Sequence, residues 1–173
     1  MPGIPQPGVP RPGQGLTQEA VRFLFSYDAE TGILTRRNHG YRRYVGKKAG
    51  TICRGRSRVS IGGRNYPTAR VIWLYVYGVL PDCDVDHKDR NPLNERLDNL
   101  RLATRAQNCA NRSKAPKNSS GFKGVRLRKY DRWEASIVHN YRRIHLGHFS
   151  TPHEAHAAYV AAAVRLNGEF AAY

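Results

Sequence analysis

The sequence predicts an α+β fold of several small antiparallel sheets and short helices, shared between two modest domains. Three observations predict it. Short, partly β-branched pieces follow one another between glycines and turn residues. Two capping boxes, Thr104 with Gln107 and Thr151 with Glu154, open helical stretches. The 173 residues, 40% of them hydrophobic, suffice for two small cores rather than one large one.

Residues 1–15, MPGIPQPGVPRPGQG, hold five Pro and four Gly and lack the basic start and apolar centre of a secretory signal. They read as a disordered tail. Thr17 is placed to cap a helix through QEAVRFLF, with Val21, Leu24 and Phe25 on one face, and YDAETG then reads as a turn. GILTRR, AGTICR, SRVSIGG and RNYPTA read as strands, with Gly62-Gly63 a hairpin signal. ARVIWLYVYG fits either a buried helix or a strand, its Val71, Ile72, Leu74 and Val76 being core and Trp73 packing on them.

A short strand ends at Val85 with Asp86 and His87 at its tip, and an Asn-rich loop leads to a second strand, Leu100 to Ala103. The capped helix from Thr104 follows. Residues 113–120, SKAPKNSS, form a polar linker. Three strands come next, GVRLRK, WEASIVHN and RRIHLGHF, with turns at Tyr130-Asp131 and Asn140-Tyr141. The last helix opens at Thr151 with Pro152 in its first position. It carries Ala155, Ala158, Ala162 and Leu166 on one face with Tyr159, and Asn167-Gly168 ends it. The expected organisation is thus a tail at 1–15, a β-rich segment plus core at 16–112 with the core from about 66, a linker at 113–120, and a final domain at 121–173.

Lys and Arg number 29 against 13 Asp and Glu, a net charge of +16. That balance points to a polyanionic partner, double-stranded DNA first, and away from a membrane, for which no apolar run is long enough. RNA is disfavoured because the basic strands lack an aromatic RNP-type pattern. Between Thr31 and Pro81 there are eleven basic residues and no acid. Arg54, Arg56, Arg58 and Arg70 among them are candidates for phosphate contact. Cys53, Cys83 and Cys109 include no CxxC pair, so free thiols in a reducing cytoplasm are expected. Cys83, His87 and Cys109 lack a fourth ligand at zinc spacing.

Against this basic background stands an acidic stretch, DCDVDHKDRNPLNERLDNL, from Asp82 to Leu100. Carboxylates beside a phosphate-binding surface weaken binding unless a divalent cation stands between them. Asp86 offers a hard oxygen ligand and Asn108 a carbonyl oxygen, a pairing suited to Mg²⁺ or Mn²⁺. His87 is able to take a proton from water, and Asn99 to hydrogen-bond across the loop. The alternative role for His87 is structural.

The order Asp-His, then Asn99 twelve residues after the histidine, then Asn108, within DHKDRNPLNERLDNLRLATRAQN, resembles the HNH endonucleases, specifically the homing branch of the ββα-metal nucleases. The resemblance implies His87 as general base, Asp86 and Asn108 as metal ligands, and Asn99 as the residue that braces the loop and orients His87. Asn108 stands where the name-giving motif has its last histidine. GVRLRK, RWEASI, LGHFST and EAHAAYVAAA resemble the AP2/ERF DNA-binding domain, a three-stranded sheet braced by a helix. That likeness implies DNA contacts from Lys123, Arg126, Arg128, Tyr130 and Arg143, with His145 in a position usually held by Trp. Ser136 and Val138 replace an acid and an Arg, so base preference does not carry over.

The expectation is a site-specific, Mg²⁺- or Mn²⁺-dependent DNA endonuclease of homing, mobile-element or phage type, its oligomeric state left open with a monomer favoured, working in the cytoplasm of a bacterial or phage-infected cell. The rival is a DNA-binding regulator with an AP2-like domain and an inactive nuclease fold.

Overall fold

The computed structural model describes residues 15–38, 42–114 and 118–173. The expected N-terminal tail up to Gln14, residues 39–41, and the middle of the expected linker at 115–117 lie outside the described residues. The chain divides into two compact units between Leu102 and Ala103.

In the first unit, Thr17 caps helix α1 (Gln18–Leu24), its hydroxyl accepting from the Ala20 N–H. The helix stops where Phe25 turns to extended backbone, and Phe25–Asp28 is strand β1, paired antiparallel with β2 (Ile33–Arg36). From sequence the helix is expected to run through Phe25, with Tyr27 and Asp28 in a turn. β-Pairing overrides it, because Phe25, less than 3% exposed, is buried from the strand along with Leu34. Strands β3 (Thr51–Cys53), β4 (Arg56–Ile61) and β5 (Arg64–Pro67) form an antiparallel sheet with β4 central. Gly62 and Gly63, both at positive φ, make the β4–β5 turn.

The ARVIWLYVYG ambiguity resolves as helix α2 (Thr68–Tyr77), ended by Gly78 in the left-handed region. Carbonyls in its last turn gain side-chain donors from α1: Gln18 Nε2 reaches Tyr75 O at 3.0 Å and Arg22 Nε reaches the same oxygen at 3.0 Å. Val21, Phe25, Leu34, Val59, Val71 and Ile72 are fully buried in one shared core with Leu100 at its edge. Each contributes about 1.5–3 kcal/mol of apolar burial. Trp73 is partly buried against this core and lies 4.5 Å from the Tyr77 ring centroid. Strand β6 (Asp84–His87) pairs with β7 (Leu100–Ala103), and the expected tip residues Asp86 and His87 belong to the strand itself.

The second unit opens with α3 (Arg105–Ala110), whose Thr104/Gln107 capping box makes both of its bonds. Strands β8 (Val125–Leu127), β9 (Trp133–His139) and β10 (Arg142–Phe149) form an antiparallel sheet with β9 central. Tyr130, Asp131, Asn140 and Tyr141 all have positive φ at the two hairpin turns read from sequence. Helix α4 (Pro152–Asn167) starts at the Thr151/Glu154 capping box and presents Ala155, Tyr159, Ala162 and Ala163 to the sheet. Tyr159 packs with Ile137 in one cluster, and Ala155 with Val125 and Ala135 in another. Gly124 is obligatory here. At φ +74 it lies against the Tyr159 ring, and a Cβ would also meet the Ser136 carbonyl. Leu127 is 49% exposed because β8 ends at the sheet margin.

Candidate active site and nucleic-acid face

Arg70 on α2 sets the entry to the acidic strand. Its guanidinium donates to Pro81 O and to Cys83 O at 2.8 Å, fixing the chain just before β6. This half-buried arginine, predicted from sequence to meet phosphate, is thus tied to main-chain carbonyls.

On β6, Asp86 is buried and paired with Arg101 of β7. Arg101 Nη2 lies 3.0 Å and Nε 3.1 Å from Asp86 Oδ2. Both side chains are about nine-tenths buried, so the pair attracts strongly but has lost its hydration. The sequence reading did not assign Arg101 to the site. Its signal was the lone cation in an otherwise apolar strand, LRLA.

His87 Nε2 lies 3.2 Å from Glu95 Oε2, and the two side chains are 15% and 7% exposed. Glu95 is the second residue that sequence reasoning missed, since it was counted only among the acids of the stretch. It is held from behind by the β1–β2 hairpin. Tyr27 Oη donates to Glu95 O at 2.7 Å, and the turn glycine, Gly32 at φ +71, lies so close to the Glu95–Arg96 peptide that a Cβ there would collide with it.

The intervening loop is tied by its Asx residues. Asn99 Oδ1 accepts from the Asp89 N–H at 3.0 Å, while its Nδ2 donates to Asp89 Oδ1 and Asn94 O at 2.9 and 2.8 Å. Asp89 also accepts from the Asn91 N–H and the Asn94 amide. Burial works against the Asp89 charge, but hydrogen bonds from Asn94, Asn91 and Asn99, with His87 nearby, outweigh it and hold the carboxyl below its usual range. Asn99 therefore braces the loop, and Glu95 contacts the imidazole. Asn108 lies in α3, where its N–H closes the first turn on Thr104 O.

No group of three His, Cys, Asp or Glu converges among the described residues. A lone carboxylate such as Asp86 suits a hard, largely hydrated cation and not zinc.

The second unit gathers the other predicted contacts. Arg126 of β8 and Arg128, just past its end, both reach Glu134 of β9, which lies opposite Arg126. Arg126 Nη2 is 2.8 Å from Glu134 Oε1, and Arg128 Nε bonds Glu134 Oε2. Hydrogen bonds from the two arginines hold the Glu134 carboxyl down to about 2. His145 Nδ1 is 3.9 Å from the same carboxylate. Sequence reading did not place Glu134 at the site, although its position across the strand pair was its signal. Arg143 is exposed beside Val138, and Tyr130 is 93% exposed at its turn. Lys123 points elsewhere: its ammonium donates to Ala110 O at 2.7 Å and to Arg112 O, tying off the end of α3. In the first unit Arg54, Arg56 and Arg58 are exposed along β4 and the turn before it.

Residues 66–110 match the model of the HNH endonuclease family. The chain is 41% identical over 100 residues to an uncharacterized HNH endonuclease, L560, of Acanthamoeba polyphaga mimivirus, covering 57% of this chain and 51% of that one. It is 37% identical over 78 residues to protein 3.8 of Escherichia phage T7, covering 41% of this chain and 64% of that one. The chain thus spans about half to somewhat under two thirds of the length of these relatives. No solved structure matches. Among the described residues no helix is long and apolar enough to cross a membrane.

Proposed function

We propose that the protein is a site-specific, metal-dependent DNA endonuclease in which His87 is the general base. One observation carries the reading: the segment that matches the HNH endonuclease model holds, at the end of β6, a mostly buried histidine whose ring is gripped by an acid. His87 takes a proton from water, the water oxygen bonds to phosphorus, and the bond from phosphorus to the departing sugar oxygen breaks. Asn99 keeps the loop after His87 in one conformation throughout. Asp86 is proposed as the carboxylate ligand of a Mg²⁺ or Mn²⁺ ion, and the family resemblance gives Asn108 the second position. When bound, such an ion supplies positive charge for the phosphate oxygens.

Target choice is assigned to the exposed face of β8–β10, on the AP2/ERF resemblance, with Arg126, Arg128, Arg143, His145 and Tyr130 as the contacts. The same likeness gives Lys123 a contact, but its ammonium is engaged by the carbonyls at the end of α3. Arg54, Arg56 and Arg58 add contacts to phosphate that carry no sequence information, and Arg70 supports β6. The viral and phage sources of the two relatives support a mobile-element or phage nuclease acting in the cytoplasm of an infected cell.

The test is nicking of supercoiled plasmid with Mg²⁺, with Mn²⁺ and with chelator. Cation-dependent nicking is expected. Salt-sensitive DNA binding without cleavage under any of these conditions would make the protein a DNA-binding regulator with an inert nuclease fold.

A further inference from the structure

We infer that Glu95 is a positioning residue for this hydrolysis: its carboxylate selects the His87 tautomer with the proton on Nε2 and so puts the basic lone pair on Nδ1. The inference rests on the nuclease reading above. An ionised carboxylate only accepts hydrogen bonds, so the ring nitrogen 3.2 Å from Glu95 Oε2 must be the N–H donor when the imidazole is neutral. The low exposure of both side chains limits water as a competing partner.

Glu95 does not belong to a surface ion-pair network. Its neighbour Arg96 pairs with Asp98 at 3.4 Å, and Lys88 donates its ammonium to Asp98 O at 2.7 Å. Among the described residues the Glu95 side chain has His87 as its hydrogen-bond partner. The backbone beneath it is fixed by Tyr27 and by the close approach of Gly32. A carboxylate so held points at one imidazole edge and leaves the ring few alternative orientations.

The proton balance follows. Water loses H⁺ to Nδ1 as its oxygen bonds to phosphorus, the bond from phosphorus to the departing sugar oxygen breaks and that oxygen gains a proton from solvent, and the ring becomes an imidazolium with protons on both nitrogens. Glu95 then faces a positive ring and stabilises it without itself taking the proton.

The experiment uses the full chain, labelled with ¹⁵N-histidine, in mildly alkaline buffer. Imidazole ¹⁵N–¹H correlations report the His87 tautomer, and single-turnover plasmid nicking in Mg²⁺ reports rate and half-saturating DNA concentration separately. In the wild type His87 is expected as the Nε2–H form. Glu95→Gln is close to isosteric, but its amide offers a donor as well as an acceptor, so His87 should become a mixture of tautomers. The nicking rate should fall about 10- to 100-fold, with half-saturation within about 2-fold of wild type. A wild-type His87 protonated on Nδ1 overturns the inference, as does a Glu95→Gln protein with wild-type tautomer and rate. Should Glu95→Gln fail to fold, the wild-type spectrum still decides. A wild type that shows the Nε2–H form and nicks no DNA overturns the nuclease reading and leaves the Glu95–His87 arrangement standing.

Discussion

The Tyr27 hydroxyl donates to the Glu95 carbonyl over 2.7 Å, joining residues 68 positions apart. Burial, followed by the negative charge of Glu95, Asp28 and Asp98, pushes the phenol up to about 12, so it remains a protonated donor throughout the neutral range. A strand near the amino terminus thereby holds the back of the residue that grips His87. Tyr27→Phe should lower stability by about 1–2 kcal/mol, the cost of leaving a half-buried carbonyl without its donor. A lower urea midpoint at unchanged slope is the expected reading, accompanied by slower nicking.

His87→Ala should abolish cleavage and leave DNA affinity close to wild type, because affinity comes from the arginines and the imidazole acts on water. Filter binding and plasmid nicking, run on the same preparation, check this. Parallel loss of both would remove His87 from the chemistry.

Asp86→Ala should cost stability as well as activity. Removing the carboxylate leaves the nearly buried Arg101 guanidinium without that counter-charge, a change worth about 3–5 kcal/mol. Asp86→Asn, which keeps an oxygen near Arg101, should be destabilised less while still needing more Mg²⁺ or Mn²⁺ for the same rate. Thermal melting beside a cation titration separates the two effects.

Glu134 gives the second unit an acid-sensitive tie. Hydrogen bonds from Arg126 and Arg128 depress its folded-state value from 4.5 to about 2. Its contribution is therefore fully present above about pH 4.5 and is lost as pH falls toward 2. Glu134→Gln should melt at a lower temperature than wild type at neutral pH, and the gap should close across that acid window. Melting curves at several pH values, followed by tryptophan fluorescence, read it directly.

Arg126→Ala and Arg56→Ala should differ in kind. Arg126 stands on the sheet face beside Arg128, where a bidentate contact to guanine is worth about 1–3 kcal/mol of discrimination. Arg56 lies exposed on β4 and should contribute about one unit of salt slope without base preference. Selection from a random DNA pool should show relaxed preference for the first variant and a uniformly weaker but unchanged profile for the second. The reverse pattern would shift recognition to the first unit.

Local chemistry made much of the fold legible. Both capping boxes, the Gly62-Gly63 turn and the two positive-φ turns at Tyr130-Asp131 and Asn140-Tyr141 are written in four residues or fewer, and each forms as read. β1 was illegible because its pairing partner, not its own propensity, ends α1 at Leu24. At the candidate site, the motif spacing pointed to Asp86, His87 and Asn99. The groups that contact Asp86 and His87, Arg101 and Glu95, were hidden because a charged residue in sequence does not disclose which neighbour it faces. Arg70 and Lys123 show the same gap in reverse. Each reads as a free cation in the sequence, yet each reaches main-chain carbonyls after folding.

The β1–β2 hairpin also lies outside the stretch that the family model matches. The stretch matched by the family begins at residue 66, whereas the hairpin that grips Glu95 lies between Phe25 and Arg36. Transplanting residues 66–110 into another protein would carry over Asp86, His87, Asn99 and Asn108 but leave behind Tyr27, Gly32 and most of the shared core. A graft meant to keep the Glu95–His87 contact should start ahead of Thr17, so that the hairpin travels with the loop it holds in place.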